Sequence, residues 1–294
     1  MRHRAACLAV AAGALAGCSS DFSPPSYLND LRILAVVADP LELQVQPGGP
    51  LPSIALRPVV YPAGTVVTQS WSFCPVSAGS ASGYACVVPE CPLPAPAADG
   101  SLAVTGNDLA SCYPALGAPA PAGLPSPLDT FFRYSVTATA PSGNASRVAV
   151  LEVPLWVGPL PAGHVVNLPP RIERVEIGGS VVYDSDPAAP TSPAPPLASG
   201  ASLPVRVVID PASVQTYVDA AGVTRVETMT VDYYATAGRF ASDAETGTDT
   251  VDSLQGQDFT AAELGAGALS VYVVALDLRG GQEVAGPFPV PIAP

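Results

Sequence analysis

Two stretches of the chain repeat one order of signals, and that repeat restricts the fold more than any single motif does. The first opens on Leu31-Arg32-Ile33-Leu34-Ala35-Val36 and the second on Pro170-Arg171-Ile172-Glu173-Arg174-Val175. Each then passes through a glycine turn (Gly49, Gly200) into a run carrying Leu-Pro, Leu51 to Leu56 in the first and Leu203 to Ile209 in the second. An aromatic run follows, Thr68 to Phe73 around Trp71, matched by Thr228 to Tyr234 with Tyr233 and Tyr234. Tyr134 to Ala138 then matches Tyr272 to Leu276, and a glycine stands nine residues after each tyrosine, at Gly143 and Gly281. Four signals in one order indicate a duplicated unit.

Several of these runs alternate apolar and polar residues, as a strand must when one face meets a core and the other meets water. Charged residues make up only 13% of the chain, and 35 prolines and 26 glycines interrupt it, which disfavours long surface helices. The expected fold is all-β: two tandem Greek-key sandwiches, residues 31–157 and 170–294, joined by a linker over 158–169. Arg147 to Val153 completes a hairpin after the turn near Gly143, as Gln282 to Val284 does after Gly280-Gly281. The segments Cys74 to Cys112, Pro114 to Pro127, Pro187 to Gly200 and the acidic Ser242 to Asp258 read as insertions, the proline-rich ones as surface loops. Thr260 and Glu263 have capping-box spacing and predict one short helical turn ending at Gly265.

The N-terminus has the three parts of a secretory signal: Arg2 and Arg4, an apolar run from Ala5 to about Ala14, and small residues before Cys18. That run is too short to span a bilayer, which takes about 20 residues. Leu15-Ala16-Gly17-Cys18 resembles the lipobox of bacterial lipoproteins. The resemblance implies a signal peptide over 1–17, fatty acylation such as palmitate on Cys18, and a mature chain tethered through residues 18–30. Ser19 and Ser20 follow the cysteine where an aspartate would imply retention at the inner membrane, so the resemblance implies the outer membrane, with either face open.

Every one of the 12 cationic residues is arginine, and two of them, Arg2 and Arg4, precede Cys18. The mature chain therefore sets ten cations against 25 acids, a net charge of −15. Such a surface repels phosphate backbones, which argues against nucleic acid as a partner. Beyond Cys7 and Cys18 lie Cys74, Cys86, Cys91 and Cys112, an even set that reads in an exported chain as two disulfides with three possible pairings. Their intervals do not suit zinc.

Catalytic motifs are missing. The mature chain has one histidine, His164, in the linker; there is no lysine, GxSxG elbow, P-loop or HExxH helix. No cofactor is expected. Asp184 and Asp186, with Asp243, Glu245, Asp249 and Asp252, are the carboxylates able to offer calcium some of the roughly six to eight oxygens it takes, against the alternative of solvated loop acids. Asp277 reads as a turn cap, Trp71 as core rather than a sugar platform, and Trp156 as packing at the junction of the two units.

The lipobox, the Arg-Ile-x-x-Val opening, the aromatic strand and the closing Asp277-Leu278-Arg279-Gly280-Gly281 together resemble bacterial surface lipoproteins with immunoglobulin-like or cadherin-like repeats. Cys74 stands three residues after Trp71, so the inter-sheet disulfide of antibody domains is not expected. The resemblance implies a non-enzymatic, lipid-anchored envelope protein, a spacer or binding module for a protein or glycan. The alternative is an accessory lipoprotein of an envelope or export complex, with the cysteine-bearing segment docking a partner; a hydrolase with carboxylate chemistry is the weakest class.

Overall fold

The computed structural model describes residues 26–61, 66–113, 127–140, 143–219, 222–256 and 259–293; the signal segment and Cys18 lie outside these. The first half contributes β1 (Arg32–Asp39), β2 (Leu43–Val45), β3 (Ile54–Tyr61), β4 (Val66–Cys74), β5 (Cys91–Pro92), β6 (Leu102–Val104), β7 (Leu128–Ala140) and β8 (Gly143–Val157). They form two sheets, in the orders β1-β3-β6 and β2-β8-β7-β4-β5.

The second half contributes β9 (Ile172–Ile177), β10 (Ser180–Asp184), β11 (Leu197–Ala198), β12 (Ser202–Ile209), β13 (Thr216–Val218), β14 (Thr224–Val226), β15 (Met229–Ala235) and β16 (Arg239–Phe240). β17 (Ala244–Thr246), β18 (Asp249–Gln255), β19 (Ala268–Asp277) and β20 (Gln282–Ala293) complete it. Its sheets run β10-β9-β12-β18-β16 and β11-β20-β19-β15-β17, with β13-β14 as a separate hairpin.

Setting β10, β13, β14 and β16 aside leaves one strand order in both halves. β1-β3-β6 matches β9-β12-β18, and β2-β8-β7-β4-β5 matches β11-β20-β19-β15-β17. In each, the second strand of the plan crosses to the other sheet and pairs parallel with the last strand, Leu43–Val45 on Leu155–Val157 and Leu197–Ala198 on Ile292–Ala293. This is an immunoglobulin-like Greek-key sandwich built twice. The four signals repeated in the sequence fall on β1/β9, β3/β12, β4/β15 and β7/β19.

Alternation drives the packing. Met229, Val231, Tyr233 and Ala235 of β15 point into the second core, where Val205, Val207 and Val273 meet them. Trp71 and Phe73 of β4 point into the first, facing Tyr134 and Phe132 of β7 in register. Trp71 is core: its ring lies 4.8 Å from that of Tyr134, and its Nε1 donates to the Gly100 carbonyl at 2.9 Å. Each buried Val, Met or Phe among them contributes about 1.5–3 kcal/mol by leaving water.

The segments read as insertions contain strands of the plan. Cys74 to Cys112 holds β5 and β6, and the proline-rich Pro187 to Gly200 holds β11, whose Leu197 is fully buried. The acidic Ser242 to Asp258 holds β17 and β18. The inward positions of β18 are Thr250, Asp252 and Leu254, so two of its three core-facing side chains are polar. They are satisfied there: Thr250 Oγ1 and Tyr233 Oη are 2.7 Å apart, and Asp252 accepts from the backbone N–H groups of Ser242 and Ser253. The helix Ala261–Ala266 carries the expected capping box but ends at Gly267, which has the left-handed φ of 72° that a C-cap requires. A second helix, Gly106–Ser111, has the same device with Thr105 and Asp108.

The two disulfides are Cys74–Cys86 and Cys91–Cys112. They tie the end of β4 to its following loop, and β5 to the end of the Gly106–Ser111 helix. Between them, Glu90 is clamped by Arg133 of β7, with Nε at 2.9 Å from Oε1, and accepts from Ser72 at 2.6 Å.

Candidate functional site

Where the two sandwiches meet, the outer face of β1 and β3 lies against the outer face of β15, β19 and β20. The seam contains Leu28, Leu34, Ala35 and Val274, with Val59, Tyr61, Tyr234 and Tyr272 packed around them. A bulge in β1 between Ile33 and Ala35 turns the two successive residues Leu34 and Ala35 toward the seam, while Val36 returns to the first core. Val36 N–H donates to Gln282 Oε1 at 3.0 Å, and the rings of Tyr61 and Tyr272 meet edge-on at 6.2 Å. The sandwiches therefore pack side by side.

The far end of the tether belongs to this seam. Leu28 is 1% exposed, its N–H donates to the Ala235 carbonyl at 2.8 Å, and Ala235 N–H donates back to the Ser26 carbonyl at 2.9 Å. Residues 26–28 are thus docked on the second sandwich, while Asp30 pairs with Arg147 of the first at 2.7 Å.

At the other end of the seam a buried ionic network joins three parts of the chain. Glu42, whose side chain is 8% exposed, accepts from His164 Nε2 (2.7 Å), Trp156 Nε1 (2.9 Å), the Asn167 N–H (2.9 Å) and an Arg279 terminal nitrogen (3.2 Å). Arg279 also donates to Glu227 Oε1 at 2.8 Å and to the Val165 carbonyl at 2.7 Å, and its guanidinium lies over the Tyr217 ring. Glu227 is 1% exposed and takes the Gln215 N–H on its other oxygen. One arginine from the β19–β20 turn is thereby shared between a carboxylate of the first sandwich and one of the second, with the linker strapped across both.

The turn that carries Arg279 is fixed by Asp277, whose Oδ1 accepts from the N–H groups of Arg279 (2.8 Å) and Gly281 (2.7 Å). Asp277 is a turn cap, as its position indicated. Gly281 has to be glycine for lack of room, since a Cβ there would stand 2.1 Å from Asp277 Oδ2 and 3.0 Å from Leu41.

His164 is thus a structural partner of Glu42, its ring set edge-on to Trp156 with centroids 4.5 Å apart. Trp156 lies at the junction, as expected. Glu42 and Glu227 carry no signal in the sequence. Asp184 and Asp186 are brought together only as consecutive turn caps, for the N–H groups of Asp186 and Ala188. Asp249 pairs with Arg206, whose hydrogen bonds hold its carboxyl below the usual range. Among the described residues no three histidine, cysteine or acidic side chains gather as a metal site. Burial lifts the Glu283 carboxyl, although the Ile172 N–H donates to it. For Glu90 burial pushes up, but hydrogen bonds from Arg133 and Ser72 outweigh it and hold the carboxyl low.

No family model matches the sequence, and no curated protein matches it. Among solved structures, the chain is similar to the D00-D0 domain of intimin, at 10% identity and a TM-score of 0.24, over 87% of this chain and 98% of that one. It is also similar to the CbhA fibronectin(III)-like modules of Clostridium thermocellum, at 13% identity and a TM-score of 0.23, over 90% and 93%. Titin domains Z1Z2, solved in complex with telethonin, match at 13% identity and a TM-score of 0.20, over 89% and 96%. The fold class rests on the strand order itself.

Proposed function

We propose that this chain is a lipid-anchored protein of the cell envelope, in the outer membrane, that binds another protein and catalyses nothing itself. The observation that carries this reading is the junction. The one histidine of the mature chain and the most buried acids near it are consumed in holding two sandwiches together. Side-by-side packing also shortens the molecule, which suits a rigid binding module better than a spacer.

The tether supports the anchoring role. Residue 18 is eight residues before Ser26, so at about 3.3–3.6 Å per residue an acylated Cys18 holds the membrane within ~29 Å of the Ala235 edge. Acyl attachment contributes about 0.8 kcal/mol per buried CH₂. The accessory-lipoprotein reading draws on the stapled segment, which the two disulfides and the Glu90–Arg133 clamp hold rigid for docking.

Incorporation of labelled palmitate and recovery in the outer-membrane fraction, both lost in Cys18→Ala, is the expected result. An unlabelled, soluble wild-type protein would overturn the anchor. Crosslinking in the native envelope should recover a stoichiometric partner; recovery of the monomer alone would overturn the binding role.

A further inference from the structure

The outward face of β1 and β3 is only partly covered. Toward Tyr61 it lies under the second sandwich. Toward Ala55 the same face is open and concave, a cavity of about 330 Å³ lined by Val37, Asp39, Ala55, Arg57 and Ala103 among others. The lining is mostly apolar, with Ala55 and Ala103 leaving room on its outward face, and contains no aromatic ring. β6 forms its rim and pairs only with β3; among the described residues no strand lies on its other edge. The matching strand of the second sandwich, β18, has a neighbour in that position, β16. Arg57 is exposed and makes no ion pair among the described residues, unlike Arg133, Arg206 and Arg279.

We infer that this face takes an extended segment of another protein, rich in small apolar side chains and carrying one carboxylate. The segment adds to the edge of β6 as a fourth strand, lays alternate side chains in the cavity and sets its carboxylate against Arg57. Strand addition draws affinity from main-chain hydrogen bonds and specificity from pockets for alternate side chains, and the rim and cavity supply both. The open face continues an interface already used within the molecule, where residues of the same two strands are covered by the second sandwich. The duplicated unit shows the position filled, by β16. An aromatic-free lining favours peptide over glycan. This inference rests on the binding role proposed above and gives its site and the chemistry of the partner.

The test uses the full mature protein and a fluorescein-labelled decapeptide of alternating valine and threonine with one central aspartate. Saturable binding by anisotropy, with slowed amide exchange at residues 102–104, is expected. Ala55→Arg, which fills the cavity from an exposed position, should weaken binding at least about tenfold, and Arg57→Gln by about three- to tenfold. A peptide with asparagine for aspartate should lose the same factor on the wild type and nothing on Arg57→Gln. Absence of saturable binding, or protection at β13–β14 or β17 with residues 102–104 unchanged, would overturn the site. If envelope crosslinking recovers a partner whose contacts lie away from β6, the binding role stands and this site fails. If the peptide binds at β6 while the envelope yields only monomer, this site stands and the broader role fails.

Discussion

The two sandwiches share a strand order and differ in how they finish it. The second extends its shorter sheet to five strands, closing one edge with the β9–β10 hairpin and the other with β16. Among the described residues the first stops at three, and it carries two disulfides where the second has no cysteine. The segment between β4 and β6 explains the contrast. In the first sandwich it runs through Pro89, Pro92, Pro94 and Pro96, which lack the N–H donors of a ladder, so pairing shrinks to the two residues of β5 while covalent bonds and the Glu90 clamp hold the rest. In the second, the matching segment pairs as β16 and β17 and holds itself by hydrogen bonds. One plan is thus stabilised covalently in one copy and by pairing in the other, and the copy with fewer strands keeps an open edge.

The largest expected effect tests what joins the two. Glu42→Ala leaves Arg279 and His164 without their shared carboxylate in a buried site, a change of about 3–5 kcal/mol. Chemical denaturation should show that loss, with the first and second sandwiches then unfolding in separate steps. A single unshifted transition would break the account of the junction.

Cys91→Ser with Cys112→Ser sharpens the contrast between copies. About 2–4 kcal/mol should be lost from the first sandwich, while amide exchange in β15 and β19 stays as in the wild type. Equal loss in both halves would mean that the staple serves the whole molecule. Gly281→Ala comes next: overpacking against Asp277 and Leu41 should cost about 1–3 kcal/mol, read as a lowered Tm.

The smallest effect is a pH dependence of opposite sign in the two copies. Glu90 has a lowered carboxyl, so the stability it contributes is present above the ordinary carboxylate pKa and is lost as pH falls through the lowered value. Glu283 has a raised carboxyl, so its contribution is present below the ordinary pKa and is lost as pH rises through the raised value. Glu90→Gln should therefore destabilise at pH 7 and become neutral in acid. Glu283→Gln should match the wild type in acid and gain on it at pH 7. Urea midpoints at both pH values decide it, and equal signs would contradict the assignment.

Much of this architecture was legible in the sequence because the repeated signals sit on strands with one clear inward face. What stayed hidden did so for physical reasons. β18 alternates in polarity the wrong way, with Thr250 and Asp252 inward, because Tyr233 and nearby N–H groups satisfy them. β11 is two residues long and sits among prolines, with Leu197 as its anchor. The side-by-side seam did leave a trace: Leu34 to Val37 and Val273 to Leu276 are unbroken apolar runs, the pattern of a strand buried on both faces. At the junction, His164, Trp156 and Arg279 stood in suggestive places, but Glu42 and Glu227 are single acids whose role depends entirely on what the fold brings beside them.

The two sandwiches form one side-by-side body, and small-angle scattering of the delipidated mature protein reports on that arrangement without any substitution. Side-by-side packing predicts a radius of gyration of about 19 Å, that of a single compact body of this length. A clearly larger value, with a two-lobed distance distribution, would mean an end-to-end pair and contradict side-by-side packing.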